Sequence, residues 1–376
     1  MENLKIETKV PYFVHIGQDI IRHLPDLLQE AVQQLQPTVC IVTDSNVARH
    51  YLKTAEKMLK KAGCRVRSLV LKPGERLKSH KELLKLLRSM VKADLTRDSV
   101  VIGMGGGVIG DLAGFAASIY MRGCSFVQMP TSLLAQVDSS VGGKVGINLP
   151  EGKNLVGSFY NPLFVLADID TLKTLPEREF LCGLAEIIKC GLIRSIDLYH
   201  KIREYFLKYR SARASLSHLE VKELLLEDWD FLKTIIAESI KIKGEVVASD
   251  EREQSLRMIL NFGHTFGHAI EALSGYRHFL HGEAVMLGMK IATALSVSLN
   301  EEQKREVREL LDMFELPTIK GITAKAIYTQ IGRDKKKKEG KINYILLEKI
   351  GKAVRKTELE RGEVLRCISG ALGEKS

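Results

Sequence analysis

Through the first half of the chain, short β-branched runs alternate with amphipathic helical stretches, and that alternation restricts the fold more than any other feature. Thr38-Val39-Cys40-Ile41-Val42-Thr43 reads as a buried strand, and the Asp44-Ser45-Asn46 turn after it can cap a helix. A second strand is predicted over Arg65–Leu71, ending in Lys72-Pro73-Gly74. A third, Ser99-Val100-Val101-Ile102, runs straight into glycines. Between these two strands Leu83, Leu84, Leu87, Met90 and Val91 recur at a period near 3.6, which predicts a helix with those five on its buried face. Such alternation implies a parallel sheet covered on both faces, because parallel neighbours require crossover connections. After Pro176 the texture changes to long helical periodicities with few prolines, as in Glu179–Ile193 and Phe231–Val247. Ile342–Val354 reads as a short strand pair. The expected division is therefore 1–176 and 177–376.

Several classes are excluded early. No run of 18 apolar residues is present, so no transmembrane helix is predicted, and Met1–Glu7 lacks the basic and apolar regions of a signal peptide. Six cysteines without a CxxC pair read as reduced, scattered residues of a cytoplasmic protein. The formal net charge of +10 suits nucleic acid, a membrane surface or a small anionic substrate. Its basic runs, Lys53–Lys61 and Arg333–Lys338, read as solvated faces. Aromatics are only 6% and do not interleave with them, which argues against a stacking platform for single strands. Neither nucleic acid nor membrane is an expected partner.

Two glycine-rich segments bear on chemistry. Gly105-Gly106-Gly107-Val108-Ile109-Gly110 matches G-x-G-x-x-G between a predicted strand and a predicted helix, where bare backbone amides and a helix N-terminus suit a pyrophosphate. The same glycines also suit a plain tight turn, and residues 125–137 contain no Asp or Glu to bind a ribose about 20 residues on. Further along, Pro130–Lys144 collects hydroxyls, Asp138, paired glycines and Lys144, and Gly152-Lys153-Asn154 follows. Two lysines beside flexible backbone suit phosphate or carboxylate.

The second half carries a metal constellation. Glu186 and Lys189, three apart, share one face of an otherwise apolar helix. His264 and His268 stand at i and i+4, and His281-Gly282-Glu283 follows 17 residues after His264. One carboxylate and two imidazoles make a three-ligand site with an open position, as a catalytic zinc requires. Spacing alone leaves open whether His264 or His268 pairs with His281. Cys190, four residues after Glu186, reads as packing. Lys243 and Arg257 add candidate anion ligands.

Together these residues resemble the 3-dehydroquinate synthases, a family among the sugar-phosphate cyclases. The similarity runs over about 43–354. It rests on Pro73-Gly74-Glu75-Arg76-Leu77-Lys78, the glycine cluster through Asp111, Tyr120-Met121-Arg122-Gly123, Val137–Lys144, Gly183–Lys189, Asn261–His268 and His281-Gly282-Glu283. The resemblance implies an α/β N-terminal domain with a Rossmann-like parallel sheet that binds NAD, joined to a mainly α-helical C-terminal domain. It implies Zn2+ or Co2+ on Glu186, His264 and His281. It implies NAD contacts at Asp44, Asn46, Glu75, Lys78, Gly106, Gly107, Asp111, Thr131, Ser132, Lys144, Lys153, Thr171 and Thr174. The implied substrate ligands are Lys144, Asn154, Lys189, Lys243, Arg257, Asn261 and His268, with Lys335 or Lys336 closing on phosphate. Arg122 would reach the neighbouring subunit's site in a homodimer. Asp138, Glu186, Lys189 and Lys144 would carry the catalysis. The family's reaction converts the anionic sugar phosphate 3-deoxy-D-arabino-heptulosonate 7-phosphate into 3-dehydroquinate and phosphate, with NAD regenerated in each turnover.

Departures are small. Ser132 replaces a usual threonine and keeps the hydroxyl, and Arg210–Asp230 reads as a surface insertion. Sister cyclases of the valiolone or deoxy-inosose type need not pair a substrate carboxylate, so Lys243, Arg257 and Asn261 favour the carboxylate-bearing substrate. A metal-dependent polyol dehydrogenase would release NADH, and Lys144, Lys153, Lys243 and Arg257 are too many anion ligands for glycerol.

Overall fold

A computed structural model describes residues 1–32, 36–209, 215–275, 277–319, 321–335 and 342–374, and side chains through 333 and again from 342. The chain divides into two compact units, Met1–Leu175 with Lys243–Arg252, and Pro176–Ile242 with Glu253–Ser376. The change of texture at Pro176 thus coincides with a division of the chain, while the ten residues from Lys243 return to the first unit. Local periodicity could not signal that return, because the helix that contains Lys243 runs on unbroken from Trp229 to Ser249.

The first unit is built on a seven-stranded sheet. Its strands are β1 (Glu2–Ile6), β2 (Tyr12–Gly17), β3 (Thr38–Asp44), β4 (Arg65–Leu71), β5 (Val100–Gly105), β6 (Ser125–Pro130) and β9 (Phe164–Asp168), while β7 (Lys144–Leu149) and β8 (Gly152–Phe159) form a separate hairpin. The spatial order is β1-β2-β9-β6-β5-β3-β4, parallel throughout except for the antiparallel edge pair β1–β2. The intervening helices are α1 (Leu24–Val32), α2 (Ser45–Val47), α3 (Lys53–Lys61), α4 (His80–Lys92) and α5 (Gly107–Ile119).

Strand residues alternate between two cores, as the two-residue period of a pleated strand demands. Val39, Ile41, Val100 and Ile102 pack with Leu24, Leu28, Ala55 and Leu59 of α1 and α3. Cys40, Val42 and Val101 pack with Leu83, Leu86, Met90, Leu112 and Ala116 of α4 and α5. Both faces are covered, so the strands read as continuous apolar runs rather than alternating ones.

On α4 the buried stripe differs from the expected one. Leu83, Leu86 and Met90 are buried and Leu87 is partly buried, whereas Leu84 and Val91 are 53% and 60% exposed. Leu84 and Val91 lie seven apart on one side of the helix, and the sheet meets the stripe defined by Leu83, Leu86 and Met90 instead. With six apolar residues within nine positions, periodicity alone cannot choose between the two stripes.

The second unit is helical. It comprises α6 (Glu177–Arg194), α7 (Ile196–Tyr209), α8 (His218–Glu227), most of α9 (Trp229–Ser249), α10 (His264–Leu273), α11 (His281–Ala294), α12 (Glu301–Asp312), α13 (Ala324–Lys335) and α14 (Arg361–Leu372). The strand pair expected near the C-terminus is β10 (Tyr344–Lys349) against β11 (Lys352–Lys356), antiparallel. The stretch read as a surface insertion is more than surface. Residues 210–214 lie outside the described ones, but α8 starts in a reciprocal capping box between Ser217 and Glu220 and buries Val221 and Leu225. Among the described residues all six cysteines are free thiols, and no helix is long and apolar enough to cross a membrane.

The stripe on α4 can be checked directly. Leu86→Ala is expected to destabilise the protein by about 2–5 kcal/mol, because it opens a cavity against the sheet. Leu84→Ala is expected to change stability by no more than about 0.5 kcal/mol. Equilibrium urea unfolding measures both.

Candidate active site

Open parallel sheets take ligands beyond the carboxyl ends of their strands, where the strand order reverses. In the first unit the reversal falls between β3 and β5. The chain leaves β3 for β4 on one side, then returns to β5 on the other. Thr43 partners Met104 at that edge, so Asp44 and Gly105 end neighbouring strands side by side. Asp44 Oδ1 accepts from the Asn46 and Val47 N–H groups at 2.8 and 3.3 Å, which starts the helix after β3.

Gly106 caps α5, whose first amides and positive dipole end open at the same edge. A Cβ on Gly107 would come within 2.9 Å of Ser139 Oγ, and one on Gly106 within 3.4 Å of Ser132 Oγ. The Thr131 N–H donates to Gly105 O at 3.0 Å, tying the hydroxyl-bearing segment after β6 to the glycines. A bare backbone framed by hydroxyls fits a pyrophosphate. Asp44, a carboxylate from earlier in the chain, ends β3 at this same edge.

Beside α5 a second cluster forms around Lys78, which is 6% exposed. Its Nζ donates to Asp111 Oδ2 at 2.6 Å and also to Asn154 Oδ1. Burial holds the Asp111 carboxyl above its ordinary value even against the Lys78 cation. Asn148 joins the set, its N–H bonding Lys78 O and its amide donating to Glu75 Oε1 at 2.7 Å. Lys144 and Lys153 are exposed on the β7–β8 hairpin.

Lys243 is buried and donates to Asp138 Oδ1 at 2.7 Å. Thr171 is 3% exposed, with its hydroxyl donating to Asp168 O and accepting from Gln136, so it is committed to the fold. The exposed Thr174 bonds the Tyr51 hydroxyl at 2.6 Å. Asn46 is exposed, and Arg122 is exposed in a turn where Met121 and Arg122 both have positive φ.

The second unit holds the ligand cluster. Glu186 is 1% exposed on α6, and the buried Lys189 Nζ donates to its Oε2. Its other oxygen, Oε1, is buried without a hydrogen-bond partner. His264 Nε2 and His281 Nε2 lie 3.8 and 3.7 Å from that oxygen. A tetrahedral zinc with ordinary bond lengths separates its ligands by about 3.3–3.5 Å, so a divalent ion fits this orphaned atom and its two neighbours. Geometry forms two candidate groups around His281 among the described residues. His264 joins Glu186 and His281, whereas His268 groups with Glu271 and His281. Neither group includes Cys190.

Each of the two imidazoles is held by its other nitrogen. His264 Nδ1 bonds Phe262 O at 3.1 Å. Gly263, at φ 79°, makes the turn that allows this, and a Cβ there would meet Met289 N and Val285 O at 2.9 Å. Burial, then Lys189 and the other two histidines, hold His264 well below the ordinary imidazole value, so it is neutral and ready to ligate. Burial would lower His281 too, but its hydrogen bond to Glu271 and the charges of Glu271 and Glu186 outweigh that and raise it.

His281 opens α11, and Glu283 fastens that helix start. Glu283 accepts from Arg178 Nε and Nη2 at 2.7 Å and from the Leu280 N–H at 2.8 Å. Gly282 lies against α6, where a Cβ would fall 2.3 Å from Cys182 Cα. Arg257 is buried, Asn261 donates to Glu253 Oε1 at 3.0 Å, and His268 is exposed. Lys335 ends α13, but its side chain and Lys336 lie outside the described residues.

Comparison with known proteins matches two family models, the 3-dehydroquinate synthase N-terminal model at residues 68–182 and the C-terminal model at 183–337. A 3-dehydroquinate synthase of Symbiobacterium thermophilum is 42% identical over 349 residues, covering 91% of this chain and 93% of its own. One from Dictyoglomus thermophilum is 41% identical and covers 99% of both. The chain belongs to the 3-dehydroquinate synthase family.

Among solved structures, 2-epi-5-epi-valiolone synthase from Streptomyces hygroscopicus, with NAD+ and Zn2+ bound, shares the fold at a TM-score of 0.83 and 24% identity, over 98% of each chain. A 2-deoxy-scyllo-inosose synthase complexed with carbaglucose-6-phosphate, NAD+ and Co2+ gives 0.79 and 24%, over 98% of this chain and 99% of that one.

Within this 3-dehydroquinate synthase family member, sequence reasoning missed Glu271, Arg178 and Glu253 and left Glu283 without a role. Glu271 had a legible signal, since it lies seven residues after His264 and three after His268 on one helix face. Arg178 had none, because its partner Glu283 is 105 residues away. The metal-free protein is expected to take up one Zn2+ per chain in equilibrium dialysis, and His264→Ala or Glu186→Ala to lose that uptake. Elemental analysis of the dialysed protein checks it.

Proposed function

We propose that this chain is a 3-dehydroquinate synthase, a carbon–oxygen lyase that turns 3-deoxy-D-arabino-heptulosonate 7-phosphate into 3-dehydroquinate and phosphate. That is the second step of the shikimate pathway toward chorismate and the aromatic amino acids. The observation that carries this is the orphaned Glu186 Oε1, facing two imidazole nitrogens in a chain of this family. NAD at the glycine edge and Zn2+ or Co2+ on Glu186, His264 and His281 supply a reversible hydride acceptor and a Lewis acid for the hydroxyl that is transiently oxidised. Oxidation of that carbon acidifies the adjacent C–H, phosphate leaves by β-elimination, the carbon is reduced again, and the ring opens and recloses by aldol addition.

The chain's own residues bind and orient the substrate. Lys189, held by Glu186, and Asp138, held by Lys243, are assigned to the reacting hydroxyl as proton carriers. Lys144, Asn154, Asn261 and His268 are assigned to phosphate, with Lys335 closing on it. Lys243 and Arg257 are assigned to the carboxylate. Both are buried, and Lys243 also donates to Asp138. We assign the protein to the cytoplasm as a homodimer, with Arg122 reaching the neighbouring subunit.

The test is phosphate release from that heptulosonate phosphate with catalytic NAD, before and after chelation. Stoichiometric phosphate without accumulating NADH, abolished by chelator and restored by Zn2+, is the expected result. Absence of phosphate release from metal-loaded, NAD-bound protein would transfer the assignment to a sister cyclase with another sugar phosphate. Accumulating NADH would make the protein a dehydrogenase. Arg257→Ala is expected to raise KM at least tenfold, and steady-state kinetics read this.

A further inference from the structure

We propose that Glu271 is a positioning residue of the metal centre, orienting His281 so that its Nε2 points at the ion. The inference rests on the metal site proposed above and goes beyond its three ligands. Glu271 is 3% exposed on α10, and its Oε2 accepts from His281 Nδ1 at 3.2 Å. Burying a carboxylate is costly unless a strong donor meets it. One such donor here is the ring nitrogen opposite the one that faces Glu186.

Holding the proton on Nδ1 leaves the Nε2 lone pair free, 3.7 Å from Glu186 Oε1. His281 needs such a hold more than His264 does. It is 30% exposed at the first position of α11, against 12% for His264, whose ring is already fixed by the Phe262 carbonyl. The helix start is fastened by Glu283 and Arg178, which sets where His281 begins but not how its ring turns. The positions 264, 268 and 271 share one face of α10, so one helix supplies both a ligand and the support of the ligand opposite.

The test uses the full chain stripped of metal, with a fluorescent zinc chelator as competitor. Glu271→Ala is expected to bind Zn2+ about ten- to a hundred-fold more weakly than the unaltered chain, with the near-isosteric Glu271→Gln between the two. The visible bands of Co2+-loaded Glu271→Ala are expected to shift, because a turned ring changes the ligand field. The melting temperature of each metal-free variant separates this from packing.

Unchanged Zn2+ affinity and Co2+ bands in both variants overturn the proposal. So does an affinity loss that only tracks a lower metal-free melting temperature and leaves the Co2+ bands in place. If the unaltered chain takes up neither Zn2+ nor Co2+, the metal site itself falls, and this proposal with it.

Discussion

A carboxylate buried on an apolar helix is the constraint around which the second unit is arranged. Glu186 lies within a stretch of α6 buried from Phe180 to Ile193, where an unpaired charge is prohibitive. Lys189 answers one oxygen. The other faces only imidazole nitrogens, which is tolerable chiefly if a cation completes the set. The neighbouring elements follow from that requirement. Gly282 lets the start of α11 touch α6, Gly263 turns the chain so that Phe262 O can hold His264, and the Arg178–Glu283 pair fastens the helix that His281 opens.

The first unit answers a different requirement, a backbone surface for anions. Parallel strands point their carboxyl ends one way, and the reversal of order between β3 and β5 leaves a crevice there. Asp44, the glycines of α5 and the segment after β6 meet at that edge because of strand order, not because of their separation in the chain. Lys78, Asp111 and Asn154 show how closely the charges are matched. One buried ammonium serves a carboxylate and an amide from separate elements, and burial still raises Asp111.

Much of this was legible along the chain. Strand–helix alternation specified the doubly covered sheet, since each strand's apolar run has to be buried on both faces. Glu186, His264 and His281 could be nominated by residue type, and the choice between His264 and His268 came into the sequence reading only through family resemblance. What was misread shares a cause. The stripe on α4 and the buried side of α8 each depend on which neighbour packs against them. Local periodicity offers several faces and names no partner.

The sequence by itself determined the order of elements, the apolar faces available for burial and the stock of anion- and metal-binding side chains. These are properties of near neighbours, governed by helical and strand periods and by turn chemistry. Only the tertiary structure decided that Asp138 meets Lys243, that Arg178 reaches Glu283, and that Glu271 stands behind His281 rather than beside solvent. Such pairings join side chains brought together by packing, and no rule of spacing carries across the loops between them.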